Sequence, residues 1–112
     1  MRFDKERLLE AGMGDPEFTR ELADMMLTDS SERLQKLRAA VEAEQWEAAG
    51  REAHSLKGAA LNVGANDLAR LCAEVEDHLR ILQNTVGSAA IDAITAEFQA
   101  VSAEIRNTAD TL

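Results

Sequence analysis

The chain has 112 residues and a mass of 12.2 kDa, with 46% hydrophobic residues, one proline and six glycines; it can supply one core, which excludes a linker or a disordered tract. Aromatic content is 4%, with no tyrosine and one tryptophan in an Ala-, Leu- and Glu-rich chain, and this balance favours packed helices over a sheet. Twelve Lys and Arg against 21 Asp and Glu give a net charge of −9, which speaks against nucleic acid and an anionic membrane as partners.

Asp4 is placed to cap a short helix, with Phe3 before it and Leu8 at the fourth helical position in hydrophobic-staple spacing. That helix ends at Gly12 or Gly14. Asp15-Pro16-Glu17 restarts the chain with an N-cap, a proline tolerated at the first helical position, and a carboxylate facing the positive helix end. Leu22, Met26, Ser30, Leu34, Leu37 and Val41 then recur at spacings of three and four, with no Gly or Pro from 17 to 49. A long helix is predicted, with one soft point at Thr28-Asp29-Ser30-Ser31 where it could break, and a turn near Glu44-Gln45. Trp46, Ala49, Ala53, Leu56, Ala60 and Val63 mark the clearest stripe, which stops at Gly64. Asn66 is available as the next N-cap, and Leu68, Leu71, Cys72, Val75, Leu79 and Leu82 trace another helix. Asn84-Thr85-Val86-Gly87 reads as a loop, and Ser88 as the cap of a last helix carrying Ile91, Ile94, Phe98, Val101 and Ile105. The predicted fold is all-α: an antiparallel four-helix bundle with a short additional N-terminal helix, residues 1–112 forming one domain.

Cys72 is the only cysteine, so no internal disulfide forms, and the N-terminus has neither a signal-peptide core nor a membrane-spanning run. A cytoplasmic location is expected. Basic against acidic residues number seven to twelve over 1–50, four to five over 51–80 and one to four over 81–112, leaving the middle stretch near neutral. That stretch is where a partner can dock.

At ~100° per residue, His54 points roughly 140° away from the stripe of its helix and so faces solvent. Lys57 lies toward the edge between His54 and the stripe, Gly58 is one turn further on the outer surface, and Leu61 is an apolar residue beside them. A mid-helix glycine costs about 0.5–1 kcal/mol against alanine, so Gly58 points to something bulky approaching the ring. Lys57 supplies a compact cation for the oxygens of an anion on His54. An imidazole with an open flank is a nucleophile for phosphoryl. No second catalytic carboxylate, Ser-His-Asp set or phosphate-cradling loop is evident around it, so the chemistry is expected to be shared with a partner.

The run Ala53-His54-Ser55-Leu56-Lys57-Gly58-Ala59-Ala60-Leu61-Asn62-Val63-Gly64-Ala65 resembles the signature of histidine-containing phosphotransfer (HPt) domains. The resemblance continues through Leu68-Ala69-Arg70-Leu71-Cys72-Ala73-Glu74-Val75-Glu76, and Gly14-Asp15-Pro16-Glu17-Phe18 is similar to the start of the family's long first bundle helix. It implies that His54 is phosphorylated, that Lys57 stabilises the phosphoryl group, and that Gly58 leaves room for the partner, with Ser55 and Leu61 counted among the partner-facing residues. The family often has a serine after the glycine, where this chain carries Ala59 and Ala60. The resemblance further implies exchange of phosphoryl with an aspartate of a response-regulator receiver domain, which brings its own Mg²⁺, and a hybrid sensor histidine kinase as a second partner. The chain itself would need no cofactor and would not be a kinase. It looks like a free-standing phosphotransfer protein or an excised domain, the initial methionine favouring the former.

Competing readings are a helical module that sequesters or inhibits a kinase or receiver without turnover, and a metal-binding bundle. The latter would need Cys72 and His78 on one face, but six residues place them ~120° apart. His78 reads as a boundary residue and Cys72 as core. Met25, Met26 and Leu27 read as core with one member reaching the surface, where a methionine edge suits an adaptable docking face.

Overall fold

A computed structural model of the chain describes residues 1–83 and 85–112. Five helices follow one another: α1 (Lys5–Ala11), α2 (Pro16–Glu42), α3 (Trp46–Asn62), α4 (Asn66–Arg80) and α5 (Ser88–Asp110), with no strand among the described residues. Short turns force neighbours to run antiparallel, and α2 packs on α3 and α5 while α4 packs on the same two, which closes the four-helix bundle. At 1.5 Å per residue the 27 residues of α2 span about 40 Å, and the molecule measures 43 × 20 × 19 Å.

Helix starts follow the side chains that satisfy orphan amides. Asp4 accepts from the Glu6 amide at 2.9 Å and Asp15 from the Glu17 amide at 3.1 Å, with Pro16 opening α2. Phe3 and Leu8 are both buried in the core beneath α1. The Asp4 amide donates to the Val63 carbonyl at 2.8 Å, and Arg7 Nη1 donates to the Leu61 carbonyl at 2.9 Å. Thus α1 covers the end of α3, satisfying carbonyls its last turn leaves open.

α2 is the long helix predicted and runs unbroken through the soft point at Thr28–Ser31, since Ser30 is buried on the core face and Asp29 is tied to Arg33 one turn on at 3.1 Å. Other expectations are corrected. In its first half the buried residues are Thr19, Ala23 and Leu27, whereas Leu22 and Met26 sit at the edge. The buried set Thr19, Ala23, Leu27 and Ser30 steps by four, four and three, which sets the core stripe one residue ahead of Leu22 and Met26. Ala65 rather than Asn66 is the N-cap of α4, and Gly87 rather than Ser88 that of α5, neither with a side-chain cap bond. Leu82 does not continue the α4 stripe: the helix ends at Arg80, and Ile81 and Leu82 are exposed. Of the predicted loop, Asn84 lies outside the described residues; Thr85, Val86 and Gly87 are non-helical, with Val86 buried.

Candidate functional site

α3 buries Ala49, Gly50, Ala53, Leu56 and Ala60, and this packing turns His54 outward with its side chain 60% exposed. Lys57 is half-buried at the seam with α4. Gly58 is exposed, and a Cβ placed on it would meet nothing within 4 Å. Leu61 is exposed one turn beyond Lys57, and Ser55 is half-buried beside His54. The face predicted from helical angles is therefore present.

No second catalytic carboxylate is evident around His54 in the sequence, yet α4 brings a carboxylate against its ring. Glu76 of α4 is buried, 8% exposed, and its Oε2 lies 2.7 Å from His54 Nδ1. Its Oε1 accepts from Lys57 Nζ at 2.7 Å, and Oε2 also accepts from Arg80 Nη1 at 3.1 Å. Burial pushes the Glu76 carboxyl up, but the hydrogen bonds and charges of Lys57 and His54 outweigh it and hold the group below its ordinary value. An ionised carboxylate can only accept, so Nδ1 carries the ring proton and donates. In the neutral ring this leaves the Nε2 lone pair as the free nucleophilic position.

Glu76 and Arg80 escaped the sequence reading, although one signal was available. Ala69, Cys72, Glu76 and Leu79 step by three, four and three, which puts a carboxylate on the buried face of α4, where an unpaired charge is untenable.

Cys72 is fully buried, and burial pushes its thiol up to about 12, far from a reactive thiolate. His78 is exposed on α4, away from this cluster. Among the described residues no group of three or more His, Cys, Asp or Glu is arranged to hold a metal. Of the methionine edge, Leu27 is buried, Met26 half-buried and Met25 66% exposed. Leu22 and Met26 line a groove with Ala59 and Asn62 of α3, on the flank opposite Glu76. No helix of the described residues is long and apolar enough to cross a membrane.

A four-helix bundle that lifts one imidazole out of its surface, with a lysine and a buried carboxylate behind it, has the build of a histidine phosphotransfer module. The chain belongs to the Hpt domain family, whose model matches residues 21–104. It is similar to histidine-containing phosphotransfer protein B (HptB) from Pseudomonas aeruginosa PAO1, at 30% identity and a TM-score of 0.87 over 99% of this chain and 96% of that one. The HPT domain of an Hpt sensor hybrid histidine kinase from Shewanella shares the fold, at 21% identity and a TM-score of 0.79 over the same shares. None of the curated proteins matches the chain. Membership gives it a phosphotransfer role in two-component signalling; Hpt domains are phosphocarriers rather than kinases, working with hybrid kinases and receiver domains in phosphorelays.

Proposed function

We propose that His54 accepts a phosphoryl group on Nε2 and exchanges it with the aspartate of a response-regulator receiver domain, in a cytoplasmic relay fed by a hybrid sensor histidine kinase. The observation that carries this reading is the contact of His54 Nδ1 with Glu76 at 2.7 Å on an imidazole 60% exposed. The Nε2 lone pair attacks phosphorus, the N–P bond forms, and the P–O bond to the aspartate breaks, the aspartate leaving as carboxylate with the bonding pair. The ring then carries a positive charge, which Glu76 balances through Nδ1–H. Lys57 Nζ, one turn from His54, holds the phosphoryl oxygens. Mg²⁺ belongs to the receiver, and this chain brings positioning and charge, which is most of what phosphoryl transfer asks of a protein.

The receiver docks on the outer face of α3, over Gly58, Leu61 and Ser55, with Leu22 and Met26 of α2 beyond the groove at Ala59 and Asn62. Residues 1–112 act as one phosphotransfer unit. Incubation with a phosphorylated receiver domain tests the proposal: His54 should gain label lost in acid and retained in base. Binding without label would leave a sequestering module instead.

A further inference from the structure

Gly50 lies one turn before His54 on α3, buried inside the helix beyond its first turn, where glycine is the least favourable residue after proline. Its surroundings explain it. A Cβ at Gly50 would stand 2.9 Å from Arg80 Cγ and 3.2 Å from Arg80 Cδ, while Leu79 Cβ would be an ordinary 3.9 Å away. The aliphatic stem of Arg80 therefore lies across α3 where the side chain is missing, and its guanidinium reaches Glu76 Oε2, the oxygen that also receives His54 Nδ1. With Lys57 on Oε1, three donors from two helices hold the carboxylate in one orientation.

We infer that Gly50 and Arg80 are positioning residues for His54: the bare backbone at Gly50 is the track for the Arg80 stem, and Arg80 aims Glu76 Oε2 at Nδ1, fixing the ring tautomer that exposes Nε2. The residues work as one unit. If the stem is displaced, Glu76 keeps only Lys57 as its cation, on the far oxygen, and nothing prevents the carboxylate from turning toward that lysine. His54 then loses the acceptor that selects Nδ1–H, and the ring divides between its two neutral tautomers. The consequence for rate presupposes the phosphohistidine reading; the tautomer does not.

The test uses the whole chain with Gly50→Ala, Arg80→Met and the double variant. Arg80→Met keeps an unbranched stem and removes the guanidinium, while Gly50→Ala raises helix propensity and displaces a flexible stem. Nitrogen NMR of the neutral His54 ring should show the Nδ1–H tautomer in the parent and a mixture in each variant. Phosphate uptake from a phosphorylated receiver should fall roughly two- to tenfold, the rate equivalent of one hydrogen bond. The double variant should be no worse than Arg80→Met alone, because both substitutions act through one contact. A parent-like tautomer in both single variants, or effects that add in the double variant, overturns the inference. Should Gly50→Ala fail to fold, Arg80→Met with Arg80→Lys decides: the tautomer must shift in the first and be at least partly restored in the second. Uptake of label with an unmoved tautomer sinks the positioning role and leaves the phosphotransfer reading intact. A shifted tautomer in a chain that never takes label does the reverse.

Discussion

Lys57 Nζ lies 2.7 Å from Glu76 Oε1, so at rest the lysine proposed to hold the phosphoryl oxygens is already bonded to a buried carboxylate. Phosphoryl oxygens must share that ammonium with Glu76 or draw it away. Lys57→Ala is therefore expected to slow phosphate uptake by roughly ten- to a hundredfold without abolishing it, since one charge assists the displacement rather than performing it. Rates measured with a phosphorylated receiver domain check this, and an unchanged rate removes Lys57 from the site.

His54→Gln should eliminate acid-labile labelling altogether while the bundle stays folded. The side chain is 60% exposed and contributes nothing to the core, so the melting temperature should move by no more than a surface substitution allows, within about 0.5 kcal/mol of stability. Label appearing at His78 in this variant would place the chemistry on the wrong helix.

Glu76 links the site to stability through pH. Its folded-state carboxyl is held below the ordinary value of 4.5, so its stabilisation is complete above that value and is lost as pH falls through the folded one. Glu76→Gln removes the charge that faces Lys57, Arg80 and His54. A fully buried ion pair broken this way costs about 3–5 kcal/mol, but these three donors reach solvent, so about 1–2 kcal/mol is expected near neutral pH. Denaturant titrations of the two proteins should diverge at pH 7 and converge as pH drops below 4.5. Curves that stay equally separated throughout would mean that the carboxylate charge contributes nothing.

The bundle was legible because its punctuation is local: Asp4, Asp15 and Gly64 act on backbone groups within a few residues, and the stripe of α3 is regular. The outward direction of His54 follows from that stripe alone. What depends on two helices meeting was not legible. Glu76 is 22 residues from His54 in sequence, and the register that joins α3 to α4 comes from the packing of their two buried faces rather than from either helix's own pattern. The displaced stripe of α2 has a related cause, since Thr19, Ala23 and Leu27 offer a second face at helical spacing and the choice between the two is made by the neighbouring helices. Gly50 and Arg80 escaped for the same reason, one being the space into which the other fits.

Gly64 ends α3 at φ +68°, and a Cβ there would come 2.7 Å from Asp4 Cβ, on the segment that leads into α1. Gly64→Ala therefore meets both an unfavourable backbone and a neighbouring chain whose amide is fixed to the Val63 carbonyl. A loss of roughly 1–3 kcal/mol is expected, read as a lower denaturation midpoint. Because the strain falls at the far end of α3 from His54, label uptake by the folded fraction should be preserved.

Gly58 separates stability from function in the opposite sense. A Cβ at this position meets open space, so Gly58→Leu adds helix propensity and should hold or raise the melting temperature by up to about 1 kcal/mol of stability. The same side chain projects from the turn after His54, into the volume that the proposed docking assigns to the receiver's aspartyl phosphate, and transfer should fall by at least roughly a hundredfold. Leu61→Asp probes the surface beside it. Leu61 is 45% exposed and stands outside the buried core, so its side chain can be exchanged with little effect on folding. Burying a new carboxylate under a docked receiver should weaken binding by about 1–3 kcal/mol, seen as slower uptake at low receiver concentration that saturating receiver restores. If Gly58→Leu unfolds the protein, the residue packs against a neighbour and the docking face lies elsewhere. If Leu61→Asp leaves uptake unchanged at every receiver concentration, the receiver does not cover this end of α3.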